Sequence, residues 1–145
     1  DALLVDVIQS LLQHGFTNFL VINGHQKNHF PETLTNLIED DYAQIVWFDW
    51  WNSDAVRAFE TEHNLRVEHA NWSENFAFNR VASVPIGEAE PIFVEDLPED
   101  MLLRQHIGDG NLGGQYQIND RLMFQLLDNI VDEVVQLLIQ LRPNR

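Results

Sequence analysis

Two short polar segments of this 145-residue chain hold residue types able to do chemistry. The first, Asn23-Gly24-His25-Gln26-Lys27-Asn28, directly follows the apolar run Phe19-Leu20-Val21-Ile22. In open α/β sheets, loops at the carboxyl ends of strands line the ligand crevice. A glycine beside the histidine permits a sharp turn, and imidazole commonly ligates Zn, Mn or Fe. The competing reading makes Asn23 and Asn28 turn and cap residues, with His25 as polar filler. A dinucleotide loop and a P-loop are both excluded by spacing.

The second segment is Glu68-His69-Ala70-Asn71-Trp72-Ser73-Glu74. Two carboxylates flank an imidazole within one loop-to-helix junction, a set able to bind a metal or move protons. The plainer alternative is a capping box, because an acid three residues after Asn71 is what a helix start wants. Residues 108–114 (Gly-Asp-Gly-Asn-Leu-Gly-Gly) form a third candidate, a lid, a subunit contact or, more plainly, a tight surface turn. Trp47, Phe48, Trp50 and Trp51 alternate along one expected strand, which suits core or interface packing more readily than a flat-ligand pocket. His14, His29, His63 and His106 have no partner pattern and receive no role.

Periodicity supplies the elements that must position these groups. Ala2, Leu3, Leu4, Val5, Ile8, Leu11 and Leu12 recur at helical spacing before His14-Gly15, a helix stop. A strand over residues 19–22 follows, then a helix from Pro31 through Leu34, Leu37 and Ile38. A strand over 44–51 and a polar helix over 53–63 come next. This alternation is the signature of α/β architecture with parallel βαβ units covered by helices. The spacing also predicts a helix from Asn71 through Phe76, Phe78 and Val81, an irregular stretch over 83–118 with Pro85, Pro91 and Pro98, and a long amphipathic helix over 120–141. No repeat or clear linker divides the chain, so residues 1–145 read as a single domain.

Composition sets the outer limits. With 8 basic against 23 acidic residues the formal charge is −15, so nucleic acid and anionic membranes are disfavoured partners. The acids are spread along the chain as a solvated surface would require. Lys27 is the sole lysine. Zero Cys excludes disulfides and Cys-ligated zinc. The late apolar stretch over 130–141 is broken by Asp132, Glu133, Gln136 and Gln140, and no signal peptide is visible, which agrees with a cytoplasmic location. The chain opens on Asp1 rather than Met, as expected if it is processed, trimmed or part of something longer.

Taken in order, these pieces resemble the creatininase (creatinine amidohydrolase) family. The resemblance rests on the helix ending Gln13-His14-Gly15-Phe16, the strand over 19–22, the loop Asn23-Gly24-His25-x-x-Asn28, Glu68-His69-Ala70 with Glu74, and the Gly108-Asp109-Gly110 region. It implies a mostly parallel sheet sandwiched by helices, a divalent metal centre (Zn, Mn or Fe), and hydrolysis of a non-peptide C–N bond in a small or cyclic amide. Carried over residue by residue, His25 and Glu74 become metal ligands, His69 the proton-transfer group and Glu68 its neighbour. A homo-oligomer, commonly a hexamer in the family, is implied as well.

Two departures qualify this. Lys27 stands where the family has glycine or, in creatininases proper, a metal-binding glutamate, which disfavours creatinine itself as substrate. The family's N-terminal Glu-x-His-Gly…Asp block has no counterpart here, so the fold is expected to be incomplete at its N-terminus and the metal site short of ligands. The leading expectation is a creatininase-like metal-dependent amidohydrolase, inactive if it must act on its own. The alternatives are a non-catalytic binding or assembly module that keeps the fold, and nucleotide binding on a Rossmann-like crevice.

Overall fold

The structure, a computed structural model, describes residues 2–93 and 108–142; Pro98 and His106 lie outside these. The chain forms two compact units, Asp1–Asp54 with Ile130–Arg145, and Ala55–Asn129.

The first unit opens with α1 (Ala2–Gln13). Its end follows from Gly15 at φ 85°, where an L side chain would be strained. There the Phe16 N–H donates to the Leu11 carbonyl (3.2 Å) and the Gly15 N–H to that of Leu12 (2.9 Å), which satisfies carbonyls the helix leaves open. Then come β1 (Asn18–Asn23), α2 (Glu32–Glu39) and β2 (Gln44–Asp49). β1 and β2 pair in parallel, in register from Asn18↔Gln44 to Asn23↔Asp49, so the expected βαβ unit is present. Pro31 stands just before α2, as its cap, rather than within the first turn.

Ile8, Phe19, Leu34 and Ala43 form the buried core of this unit, with Leu4, Val5, Leu11, Leu12, Phe30, Leu37 and Ile45 packed on it. Each fully buried aliphatic side chain contributes about 1.5–3 kcal/mol. Ile22 is exposed, so the apolar run of β1 is not covered throughout. Alternation along β2 stops at Asp49, earlier than expected. Trp50–Asn52 instead make a 3-10 turn, closed by the Ser53 N–H on the Trp50 carbonyl (3.3 Å). The reason is local, because Asn52-Ser53-Asp54 are helix-start residues and the backbone must leave the sheet to begin α3. Trp50 and Trp51 meet edge to face rather than standing on opposite sheet faces.

In the second unit, α3 (Asp54–His63) buries Val56 and Phe59, and Asn64 at φ 51° ends it. Phe59 lies against Trp72, itself fully buried with its indole N–H on the Arg66 carbonyl (2.9 Å). Short strands β3 (Glu88–Ala89) and β4 (Gly114–Gln115) pair antiparallel within the stretch expected to be irregular. The last helix, α4 (Asp120–Gln140), starts on Asn119, whose side-chain oxygen accepts the Arg121 N–H (2.9 Å). Residues 120–129 of α4, with buried Met123 and Leu126, belong to this unit, and residues 130–140 to the first. Among the described residues no helix is long and apolar enough to cross a membrane.

The helix expected to open at Asn71 does not form. Only a 3-10 turn, Trp72–Glu74, is present. Asn71 caps it by accepting the Ser73 N–H (2.9 Å), as a capping residue should. Propagation then fails because the following asparagines hydrogen-bond elsewhere. The Asn75 amide donates to the Tyr116 carbonyl (3.0 Å) and that of Asn79 to the Glu74 carbonyl (3.0 Å).

Candidate functional site

The two polar segments fall in different units, and each is built by a buried asparagine. In the first unit Asn23 closes β1 and is almost fully buried. Its amide uses every hydrogen-bonding position it has. The oxygen accepts the His25 backbone N–H (3.1 Å) and the Asn28 side-chain N–H (3.0 Å). The nitrogen donates to the His25 carbonyl (3.0 Å) and to Asp49 Oδ1 (2.8 Å). Asp49 Oδ1 also accepts from the Trp47 indole (2.8 Å). The turn that presents His25 is therefore made by Asn23. Gly24 is absent from the positive-φ residues and has open space where a Cβ would go, so the sharp turn does not depend on it. His25 itself is solvent-exposed.

Asp49 was not singled out from the sequence. The only signal for it is a single carboxylate closing an otherwise apolar run. Its meaning depends on the parallel register, which places it beside Asn23.

In the second unit the turn around Asn71 brings two of the expected residues together. His69 Nδ1 lies 3.5 Å from Glu74 Oε1, both side chains about half exposed (49% and 47%). Ala70 between His69 and Asn71 takes the left-handed conformation, φ 56°, which costs an L residue about 1–2 kcal/mol. The Asn71 N–H donates to the Glu68 carbonyl (3.3 Å) and its amide to the Arg66 carbonyl (2.9 Å). Glu68 is half-buried, and its carbonyl also accepts from the Ser73 hydroxyl (3.4 Å). The capping-box alternative for Glu74 does not hold. Its carboxylate turns to His69, and the Asn71 N–H that a box would engage is held by Glu68.

A histidine whose Nδ1 faces a carboxylate is oriented by it. At 3.5 Å the contact is longer than a good hydrogen bond. Glu68, His69 and Glu74 thus share one turn, and His25 stands on the other unit's turn. Among the described residues no three His, Cys, Asp or Glu side chains gather as a metal site. A lasting metal centre usually needs three or four protein ligands, so the donors described here do not fit one by themselves.

A family model described as Creatininase: Creatinine amidohydrolase matches residues 1–138 of the chain. No curated protein and no solved structure matches.

Proposed function

The chain belongs to the creatininase family, and from that premise we propose that it is an amidohydrolase cleaving a non-peptide C–N bond of a small or cyclic amide, with His69 as its proton-transfer group. The observation that carries the proposal is the His69–Glu74 pair, set on a strained turn and half open to solvent. Backbone strain of this kind tends to persist where a side chain must be held for function.

The chemistry asked of the pair is modest. Nε2 of a neutral His69 takes a proton from water as the oxygen attacks the amide carbonyl, and Glu74 stabilises the resulting imidazolium through Nδ1. The same proton then passes to the leaving nitrogen as the C–N bond breaks, giving an amine and a carboxylic acid that ionises to the carboxylate. Glu68 supports the pair by anchoring the turn through its carbonyl.

Members of the family are generally metal-dependent. His25 and Glu74, which stand in separate units, are each carried over from the family as a metal ligand, and every further donor would have to come from outside the described residues. Assembly into a homo-oligomer, carried over from the family, is part of the same proposal and is read by sedimentation.

The test is hydrolysis of a panel of lactams and other small cyclic amides, creatinine included, by the wild type and by His69→Ala, with Zn or Mn supplied. Removing a general acid–base group should lower kcat by about 10²–10⁴-fold. Creatinine should be a poor substrate, given Lys27. One observation favours a second reading, a non-catalytic module that keeps the fold: no three donors gather among the described residues. Absence of turnover on every amide at saturating metal would favour that reading.

A further inference from the structure

We propose that Asp109 and Tyr116 are positioning residues for His69, acting as a clasp that holds the glycine-rich loop of residues 108–114 against the His69 backbone. The catalytic consequence rests on the hydrolase reading; the clasp itself does not.

The Leu112 N–H donates to the His69 carbonyl (3.1 Å), and the Leu112 carbonyl accepts from the Ile92 N–H (2.8 Å). Leu112 thus ties the His69 turn to the segment after β3 through its main chain. The loop reaches this position only because its glycines allow it. Gly113 takes φ 146° and presses on Pro91, where a Cβ would come within 3.1 Å of the Pro91 Cα, and Gly114 at φ 83° abuts the Asn71 amide. Gly110, at φ 92°, faces the Ala70 methyl.

Asp109 organises the loop from its other end. Its Oδ1 accepts the Asn111 N–H (3.1 Å) and its Oδ2 the Tyr116 hydroxyl (2.7 Å), so one carboxylate closes the loop across β4. Asn111 passes the constraint on, its Oδ1 accepting the Gly113 N–H (2.8 Å). The Asn111 side chain is buried and its Nδ2 has no hydrogen-bond partner, so the loop keeps its place against the cost of an orphan donor. Something must hold it there, and the clasp is placed to do so. The Tyr116 hydroxyl, first, and the Asn111 N–H hold the Asp109 carboxyl below its ordinary range, while Asp109 raises the Tyr116 hydroxyl above its own. Both directions are those of a hydroxyl donating to an ionised carboxylate.

Hydrogen exchange at the Leu112 amide reads the loop–His69 bond directly. Tyr116→Phe and Asp109→Ala should lower its protection by about tenfold or more, with the buried Leu126 amide unchanged. Asp109→Asn keeps a side-chain oxygen for the Asn111 N–H and an amide for Tyr116, and should stay within about threefold of wild type. If amide hydrolysis is found, Tyr116→Phe should lower kcat while KM holds, since a misplaced His69 affects the proton transfer more than binding. Unchanged Leu112 protection in Tyr116→Phe overturns the clasp whatever the activity. Lost protection in a protein that hydrolyses nothing leaves the clasp standing and removes only its catalytic purpose. Should Asp109→Ala not fold, Tyr116→Phe, which deletes a single hydroxyl, decides the matter.

Discussion

Replacing Asn23 by aspartate changes almost no volume but reverses the chemistry of the buried hub beside His25. The amide nitrogen that donates to Asp49 Oδ1 at 2.8 Å becomes a carboxylate oxygen facing another carboxylate. Two unit charges at that distance repel by about 6 kcal/mol at an effective dielectric of about 20 and by about 1.5 kcal/mol in water. Relaxation and partial protonation keep the realised cost below the larger figure. Adding the lost donation to the His25 carbonyl, about 1 kcal/mol, the expected loss at neutral pH is about 2–4 kcal/mol, a large share of a domain's stability.

The sign with pH follows from the like charges. They raise the folded-state pKa of the pair above its unfolded value, so stability is retained at low pH and lost as pH rises through the raised pKa. Urea unfolding should therefore show Asn23→Asp closest to wild type near about pH 4 and furthest from it near neutrality. Asn23→Leu removes all four hydrogen bonds, the two that Asn23→Asp keeps included, without adding charge, and should lose about 2–4 kcal/mol with little pH dependence. Asn23→Asp within about 0.5 kcal/mol of wild type at neutral pH, or showing the same pH trend as Asn23→Leu, would refute the four-bond hub.

Ala70→Gly relieves a left-handed φ of 56° and should stabilise the protein by about 1 kcal/mol in urea unfolding; a loss would mean the methyl matters more than the strain. Phenolate absorbance in a Tyr42→Phe background should place Tyr116 titration above the ordinary tyrosine range, and Asp109→Ala should bring it back. Because the folded-state pKa of Tyr116 is raised, the clasp's contribution is present below the unfolded value of 10.0 and is lost as pH rises through the folded one. The Asp109 carboxyl is lowered, so its contribution is present above 3.8 and is lost on acidification through the folded value. If donors outside those described complete the metal centre implied by the family, chelator treatment should lower Tm by more than about 5 °C, and an unchanged Tm would count against that centre.

What could be read from the sequence was what local pattern determines. The helix stop at Gly15, the run over 19–22 and the polar helix over 53–63 each depend on neighbours a few residues away. Their order was enough to anticipate the parallel β1–β2 pair. The failures have one physical root. Asn71-Trp72-Ser73-Glu74 does start a helical turn, yet the Asn75 amide goes to Tyr116, 41 residues on, and the helix ends. Trp50 and Trp51 continue an aromatic run, but the approach to α3 takes them out of the sheet. The candidate site divides in the same way. His69 and Glu74 stand five positions apart and were legible together. Asn23 and Asp49 meet across the parallel register, and the loop of 108–114 meets His69 through main-chain atoms that carry no sequence signal.

Whether the His69–Glu74 pair moves the proton in amide hydrolysis is decided by one comparison. Single-turnover cleavage of a small cyclic amide is followed for the wild type, His69→Ala and Glu74→Gln under identical metal loading. Release of amine and carboxylate by the wild type is expected, with a fall of at least about 10²-fold for His69→Ala and a smaller fall for Glu74→Gln, each in the single-turnover rate constant. Cleavage by His69→Ala at the wild-type rate would contradict it.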